Sequence, residues 1–178
     1  MYSKKVKNRI KSKKIPTSAF IDASNIIYGT RNEGWKVDFK KLMNYLSVRY
    51  NCKKIYYFAG IEPNHTNQQK FYLLLKKLGY ELVLKPVKLY IQPDGKVVRK
   101  ANCDVDLTFY AMRDKDSFKR GIFLTGDGDF EVLFTYLLEK RKHVIVIANA
   151  KRTAREIKKL VGLEFNDLGS LKETLKRK

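Results

Sequence analysis

Cysteine is scarce in this chain, and long apolar segments are lacking. The 178 residues include only two cysteines, Cys52 and Cys103, which provide neither a disulfide framework nor a CxxC metal-binding motif. The longest apolar stretches, such as residues 144–148 (VIVIA), fit a buried strand and are far too short to cross a bilayer. No apolar segment follows the N-terminal lysines, which argues against a secretory signal. These absences predict a cytoplasmic protein that works without a membrane.

Acidic residues are also few, with 18 Asp and Glu against 38 Lys and Arg, which gives a formal net charge of +20. The hydrophobic content of 44% excludes a disordered chain, and the length fits one domain with its own core. A surface this basic attracts polyanions, and nucleic acid is the leading candidate. The sequence leaves the oligomeric state open, a homodimer being one alternative.

Basic residues are dense at both ends of the chain. Residues 1–16 are expected to form a flexible basic tail that attracts nucleic acid through charge alone. Residues 17–168 are expected to form the folded domain, and residues 169–178 a C-terminal basic helix or tail. We expect the last three residues, 176–178 (KRK), to fray.

Strands alternate with helices along the folded domain. Strands are predicted at residues 17–22, 54–60, 80–84, 121–125 and 143–148, with a short sixth strand at 163–165. Helices are predicted at residues 38–50, 63–78, 104–115, 129–140 and 153–160, with a last helix that begins at Ser170. A turn signal at residues 92–95 (QPDG) predicts a β-hairpin between the third strand and the helix at 104–115. This alternation favours a parallel sheet covered on both faces, with ligands bound at the carboxyl ends of its strands.

The segment between the first strand and the first helix carries two glycines and two aromatic residues. Gly29 and Gly34 predict a loop that ends at Asp38, the expected N-cap of the helix. Tyr28 and Trp35 in this loop either stack on unpaired bases or pack in the core. In the second helix, four apolar residues are expected to face inward: Phe71, Leu74, Leu75 and Leu78.

Aspartates recur where predicted strands end or predicted helices begin. The segments are residues 22–25 (DASN), 102–106 (NCDVD) and 124–130 (LTGDGDF). Carboxylates held together repel one another, and a bound divalent cation is the simplest reason to hold them. Mg²⁺ takes oxygen ligands and can supply the nucleophile that attacks a phosphodiester. The candidate ligands are Asp22, Asp104 and Asp127, with Asp106 and Asp129 as further candidates.

Each aspartate also has a structural alternative. Asp22 could cap a turn, and Asp104 or Asp129 could cap a helix. Asp106 could complement a helix dipole without touching a ligand. For any one aspartate the structural role remains an alternative. The presence of three such segments together favours a shared site.

These segments resemble the NYN domain of the LabA-like group, a branch of the PIN-like nucleases. The resemblance covers about residues 18–168 and rests on three matches: Asp22-x-x-Asn25, Lys100 followed by Asp104-Val105-Asp106-Leu107, and Thr125-Gly126-Asp127-Gly128-Asp129-Phe130. It implies a PIN-like three-layer α/β/α fold with a mostly parallel central sheet in the order 3-2-1-4-5, the hairpin being an insertion. Tyr110 is a departure, because many relatives carry a further Asp there.

The resemblance also implies cleavage of RNA that depends on Mg²⁺ or Mn²⁺. The residues implied to be catalytic are Asp22, Asn25, Asp104, Asp127 and Asp129. Asn25 is expected to orient Asp22 or a metal-bound water.

Two other functions remain as alternatives. A non-catalytic RNA-binding or adaptor protein could keep the same fold and its acids. Residues 126–128 (GDG) also resemble a motif of haloacid-dehalogenase-like phosphatases, but those enzymes need an Asp-x-Asp after the first strand, where this chain has Ser24.

Basic residues suited to contact RNA, single-stranded or structured, lie in two predicted elements. The hairpin supplies Lys88, Arg99 and Lys100, and the region around the helix at 153–160 supplies Lys151, Arg152 and Arg155. Because no RNP, KH or zinc-finger motif is present, these contacts are expected to set affinity more than base preference. His65 opens the second helix and is expected to be a capping or surface residue.

Overall fold

A computed structural model of the protein describes residues 15–62 and 65–178. The predicted basic tail therefore lies outside the described residues, except for its last two positions. The strands in chain order are β1 (Thr17–Asp22), β2 (Cys52–Ile61), β3 (Glu81–Pro86), β4 (Lys88–Ile91), β5 (Val97–Lys100), β6 (Arg120–Leu124), β7 (His143–Ala148) and β8 (Glu164–Asp167).

Helices connect these strands. They are α1 (Ala23–Arg31), α2 (Phe39–Tyr50), α3 (Thr66–Leu78), α4 (Asp104–Arg113), α5 (Glu131–Glu139), α6 (Arg155–Lys159) and α7 (Lys172–Leu175). Short 3₁₀ turns lie at Lys115–Ser117, Gly128–Phe130 and Leu168–Leu171. Asp38 caps α2 and Gly79 ends α3 in the left-handed region, both as predicted.

Six strands form one parallel sheet in the order β3-β2-β1-β6-β7-β8. The predicted α/β class is confirmed, and the predicted five-strand order is present when the hairpin is left out of the count. The sheet has one strand more than that order, because the short segment before Leu168 pairs with β7 as β8. The hairpin of β4 and β5 forms a separate antiparallel pair, as expected of an insertion. Since the chain leaves β1 towards β2 on one side and reaches β6 on the other, β1 marks the point where the strand order reverses.

Two cores cover the two faces of the sheet. One core packs Ile21 and Tyr57 of the sheet beneath α1, α2, α3 and α7. The other is strongly aromatic and lies beneath α4, α5 and α6. There the Phe123 ring stacks on Phe20 at 5.0 Å between centroids and contacts Phe134 at 4.8 Å. Since side chains alternate along β1, Phe20 and Ile21 enter opposite cores and tie the three layers together.

The predicted loop after β1 is wrong, because residues 23–31 form helix α1. The Asp22 carboxylate caps this helix by accepting hydrogen bonds from the backbone N–H groups of Ser24 and Asn25. Gly29 is buried inside α1 and does not mark a turn, and its carbonyl accepts a hydrogen bond of 3.2 Å from Asn149 Nδ2. Trp35 is buried in the core, whereas Tyr28 is 58% exposed.

Helix α3 differs from its prediction on one face. Tyr72 and Leu75 are buried, while Leu74, which was expected inside, is 51% exposed. The helix begins at Thr66 with His65 as its N-cap, and residues 63–64 lie outside the described residues.

The last residues of the chain are paired, and the expectation that they fray is wrong. Leu175 is fully buried and its carbonyl oxygen accepts a hydrogen bond of 2.8 Å from the N–H of Asp38. Val37 and Lys176 form an antiparallel bridge, and the N–H of Arg177 donates to the carbonyl of Lys36 at 2.8 Å. The C-terminal segment therefore holds the entry to α2 in place.

Asp114 organises the opposite, amino edge of the sheet. Its carboxylate accepts hydrogen bonds from Arg113 Nε at 2.8 Å, Tyr56 Oη at 2.6 Å and Lys54 Nζ at 3.1 Å. The Arg113 hydrogen bond in particular, with those from Tyr56 and Lys54, holds the pKa of the Asp114 carboxyl far below its ordinary value. These hydrogen bonds of Asp114 join the end of α4 to the start of β2.

Asp114→Asn should lower the free energy of unfolding by about 1–3 kcal/mol at neutral pH, because three donors lose a charged acceptor. The folded pKa is depressed, so this contribution is complete above the unfolded pKa of about 3.9 and is lost as pH falls through the folded value. Urea unfolding should therefore show a difference between wild type and variant that is constant from about pH 7 to 5 and shrinks in acid. Asp116→Asn, which removes an exposed carboxylate nearby, is the control. A difference that grows on acidification would contradict this assignment.

Within residues 15–62 and 65–178, no helix is both long and apolar enough to cross a membrane.

Candidate active site

The three aspartate segments converge at the carboxyl edge of the sheet, on either side of the reversal at β1. Asp22 ends β1, and the neighbouring β6 leads directly into the turn that carries Asp127. Asp104 is the first residue of α4, and Asp129 lies in the 3₁₀ turn after β6. Asp104, Asp127 and Asp129 each offer a carboxylate oxygen within 4.8 Å of the others.

Like charges crowd one another in this cluster. Burial is the main cause that raises the pKa of Asp104 above its ordinary value, and the charges of Asp22 and Asp127 raise it further. Asp104 and Asp127 are half-buried, while Asp129 is exposed to solvent. Hard oxygen ligands at this spacing suit Mg²⁺ or Mn²⁺, and a cation would offset the repulsion among these carboxylates. The residues therefore fit the metal that the resemblance implies.

Asp22 lies beside this group but uses much of its hydrogen-bonding capacity in the fold. Its Oδ1 accepts from Ser24 Oγ at 2.6 Å as well as from the two N–H groups of the helix cap. Its Oδ2 accepts a longer hydrogen bond, 3.4 Å, from Thr125 Oγ1 across the β1–β6 boundary. Asp22 does not belong to the group of carboxylates within 4.8 Å, so its role as a direct ligand stays a prediction.

Asn25 has a structural role that the sequence did not indicate. Its Oδ1 accepts a hydrogen bond of 3.1 Å from the N–H of Gly126, the residue before Asp127. Gly126 has no room for a side chain, because a Cβ atom would lie 2.6 Å from Thr153 Oγ1 and 3.0 Å from Thr153 Cα. The Gly126 carbonyl in turn accepts from the N–H of Ala154 at 2.9 Å. Thus α1 and the segment after β7 together fix the turn that presents Asp127.

Asp106 points to another partner. Its Oδ2 forms an ion pair of 2.7 Å with Lys85 Nζ, which joins the end of β3 to the first turn of α4. It is not in the group of Asp104, Asp127 and Asp129, and its role as a metal ligand also stays a prediction.

Two clefts meet at the carboxylates. The wide cleft has a volume of about 1010 Å³ and reaches Asp22, Asp104 and Asp127. The narrow cleft has a volume of about 430 Å³ and reaches Asp127 from the side of residues 152–154. Tyr28 and Asn25 line both clefts. The exposed Tyr28 ring therefore stands where the two clefts join, while Trp35 is part of the core.

The predicted RNA-binding residues are spread unevenly around this site. Arg152 lines the narrow cleft together with Asp127. Lys88, Lys151 and Arg155 are exposed and belong to the lining of neither cleft. The side chains of Arg99 and Lys100 lie outside what the structure describes.

Further basic residues of the site were missed by sequence reasoning. Arg31, Lys36 and Arg177 line the wide cleft. Arg31 ends a helix that was predicted as a loop, and Lys36 and Arg177 are neighbours only through a backbone pairing between distant segments. His65 also lines this cleft, and its Nδ1 accepts a hydrogen bond of 3.2 Å from the N–H of Gln68, in line with the expected capping role.

Comparisons with known proteins match most of the chain. The family model described as NYN domain matches residues 16–168. The chain belongs to the NYN domain family. It is 26% identical over 164 residues to the low amplitude and bright protein LabA of Synechococcus elongatus, an alignment that covers 89% of this chain and 88% of that protein. A crystal structure of a protein of unknown function from Vibrio parahaemolyticus has the same fold, with a TM-score of 0.72 and 24% identity over 94% of this chain and all of that one.

Membership of the NYN family indicates a nuclease of the PIN-like superfamily and implies an RNA substrate. The resemblance seen in the sequence is confirmed. The family match gives the phosphatase alternative no support.

Asn25→Ala should loosen the turn that presents Asp127, because the N–H of Gly126 loses its acceptor. A buried donor left unpaired costs about 1–3 kcal/mol, so the variant should unfold at a lower urea concentration and bind Mn²⁺ more weakly in a calorimetric titration. Asn25→Asp keeps an acceptor at the same position and should keep more of the stability than Asn25→Ala. Equal stability of wild type and Asn25→Ala in urea would show that this hydrogen bond does not stabilise the fold.

Proposed function

We propose that this NYN domain is a metal-dependent endoribonuclease that hydrolyses RNA phosphodiester bonds with Mg²⁺ or Mn²⁺. One observation carries the proposal: Asp104, Asp127 and Asp129 offer oxygens within 4.8 Å of one another where two clefts meet. The formal charge of +20 supports a polyanionic substrate.

In this proposal Asp104, Asp127 and Asp129 hold the cation, with Asp22 as a further ligand or as a partner through water. When bound there, Mg²⁺ or Mn²⁺ would supply a Lewis acid for a phosphoryl oxygen and would lower the pKa of a water molecule that attacks phosphorus. Short aspartate side chains on separate segments give the stiff arrangement that such a site needs. Asp106 is a further candidate ligand in this proposal, but its carboxylate already forms an ion pair with Lys85.

The other residues of the site act on the RNA or on the aspartates. Asn25 positions Asp127 through the backbone of Gly126. Arg152 would bind a phosphate beside Asp127, and the cleft that both residues line supports this role. The exposed Tyr28 ring offers a surface on which an unpaired base stacks. Lys88, Arg99, Lys100, Lys151 and Arg155 would extend the contact with phosphates farther along the RNA.

A second candidate is a non-catalytic RNA-binding or adaptor protein. The caps around Asp22 and the ion pair of Asp106 with Lys85 favour it, because both engage carboxylates that a richer metal site would use. The clefts and basic residues serve RNA binding equally well in either case. For both functions we infer a cytoplasmic location, where the two free cysteines remain reduced.

Asp127→Asn should abolish cleavage while RNA binding is kept or strengthened. The change removes a charge that holds the cation, and it also removes repulsion between the cluster and phosphate. The measurement is cleavage of single-stranded RNA, tRNA and a structured RNA with Mg²⁺ or Mn²⁺, beside binding of the same RNAs. Asp116→Asn, which removes an exposed carboxylate away from the cluster, is the matched control and should cleave normally.

Wild-type protein that is inactive on all three RNAs with either metal, yet still binds them, would overturn the nuclease proposal in favour of the binding protein. Full activity of Asp127→Asn would exclude the proposed metal site instead.

Removing residues 1–14, with their seven Lys and Arg, should weaken binding of every RNA sequence to a similar degree. Contacts with phosphates carry no sequence information, and for single strands each lost contact should reduce the slope of log K against log salt by about 0.7. Titrations at several salt concentrations measure the slope, and sequencing gels show whether the cleavage position is unchanged. A shifted cleavage position would make the tail a specificity element, and an unchanged slope would exclude it from binding.

A further inference from the structure

Three basic side chains from separate parts of the sequence line the wide cleft. Arg31 ends α1, Lys36 precedes α2, and Arg177 belongs to the C-terminal segment. All three are exposed, and none has an acidic partner among the ion pairs of the described residues. Unpaired cations in a concave site are placed to bind an anionic ligand.

The backbone holds Lys36 and Arg177 side by side. The N–H of Arg177 donates to the carbonyl of Lys36 at 2.8 Å, next to the bridge between Val37 and Lys176. The carbonyl of Lys176 accepts a further hydrogen bond of 2.9 Å from Lys41 Nζ. Buried Leu175 anchors the segment from the other side. The two cations are therefore fixed to the folded domain, unlike those of a free tail.

Arg31 lies away from the carboxylates. Asp22 and Arg31 stand at the two ends of α1, and a nine-residue helix is roughly 13 Å long. A phosphate held at the carboxylates is therefore not the phosphate that Arg31 contacts. The cleft volume of about 1010 Å³ lies at the upper end of the range for ligand pockets, about 300–1,000 Å³, so the cleft has room for a ligand larger than one phosphate.

The remaining lining of the wide cleft suits unpaired bases. Leu74 and Tyr28 are each more than half exposed, and the partly buried Phe71 also lines this cleft. Stacking on such side chains needs bases that are free of a duplex.

We propose that Arg31, Lys36 and Arg177 bind the phosphates of a single-stranded RNA segment on one side of the phosphate that the carboxylates hold. The C-terminal segment is then part of the substrate site, and Arg152 in the narrow cleft lies towards the other side of the cut. The choice of RNA as ligand rests on the proposed function, whereas the position of the phosphates rests on the cleft.

The test is binding of single-stranded RNA by the full-length Lys36→Ala/Arg177→Ala variant in metal-free buffer, where no cleavage interferes. We expect a 12-nucleotide RNA to bind roughly 10-fold or more weakly, because charge-assisted contacts are lost. The slope of log K against log salt should fall by about 1.4 for two phosphates. Lys53→Ala/Lys119→Ala removes the same charge at the amino edge of the sheet and is the matched control. Both side chains are exposed there, so the control should bind almost as wild type does.

RNA length supplies a second readout. A trinucleotide has too few phosphates to contact all of the cations that line the wide cleft, so it should lose less affinity in Lys36→Ala/Arg177→Ala than a 12-nucleotide RNA does. The loss should grow as the RNA is lengthened towards 12 nucleotides. If the double variant proves unstable in thermal unfolding, Arg177→Gln alone keeps the backbone pairing and should lose about 0.7 in slope.

The outcomes separate this inference from the nuclease proposal. Wild type that never cleaves RNA, with a length-dependent loss in the variant, would overturn the nuclease and support the phosphate site. Normal cleavage by wild type, with equal binding by the variant and the control, would overturn the phosphate site and leave the nuclease untouched. An equal loss in variant and control would also overturn it, since total charge would then be the cause.

Discussion

The hydrogen bond between Asn25 Oδ1 and the N–H of Gly126 is the contact on which the site depends most. It joins the start of α1 to the turn after β6, and those two elements flank the reversal point of the sheet. Gly126 also packs closely against Thr153, which restricts the movement of the turn. The carboxylates of Asp127 and Asp129 therefore meet Asp104 because the backbone beneath them is fixed, against their mutual repulsion.

That repulsion distinguishes the site from the rest of the molecule. At the amino edge, Asp114 is surrounded by donors and its pKa is lowered. At the carboxyl edge, Asp104 is surrounded by acids and partly buried, and its pKa is raised. Two aspartates at the two ends of α4 thus meet opposite environments. Asp114 stabilises the fold. The raised pKa of Asp104 is the pattern expected of a group in a functional site whose partner is a ligand.

Much of the fold could be predicted from the sequence, because its signals are local. Alternating apolar strands, the cap at Asp38 and the turn at residues 92–95 each act within a few residues, and the structure agrees with them. The site aspartates could be predicted for the same reason, since they follow strand ends or begin helices. Helix α1 could not, because most of its residues are weak helix formers and Gly29 indicates a break. In the structure the Asp22 cap and the burial of Ile26 stabilise this helix.

The remaining differences come from contacts between distant segments. Nothing near Arg177 indicates that its backbone pairs with Lys36, and nothing near Asp106 indicates the ion pair with Lys85. The exposure of Leu74 likewise depends on the cleft beside α3, which periodicity does not reveal. Asn25 was recognised as important from its spacing to Asp22, but its partner is a backbone group about a hundred residues away. Sequence reasoning identifies the residue types that take part in such contacts, but it does not identify the partners that the fold brings to them.

The pairing of the C-terminal segment with the entry to α2 has a practical consequence for handling the protein. A purification tag fused after Lys178 would begin one residue from Arg177, at the mouth of the wide cleft. A polyhistidine sequence there would lie beside the cations that line this cleft and would add imidazoles that bind transition metals independently of the carboxylates. Recombinant protein for metal titrations is therefore better made with a removable tag at the other end.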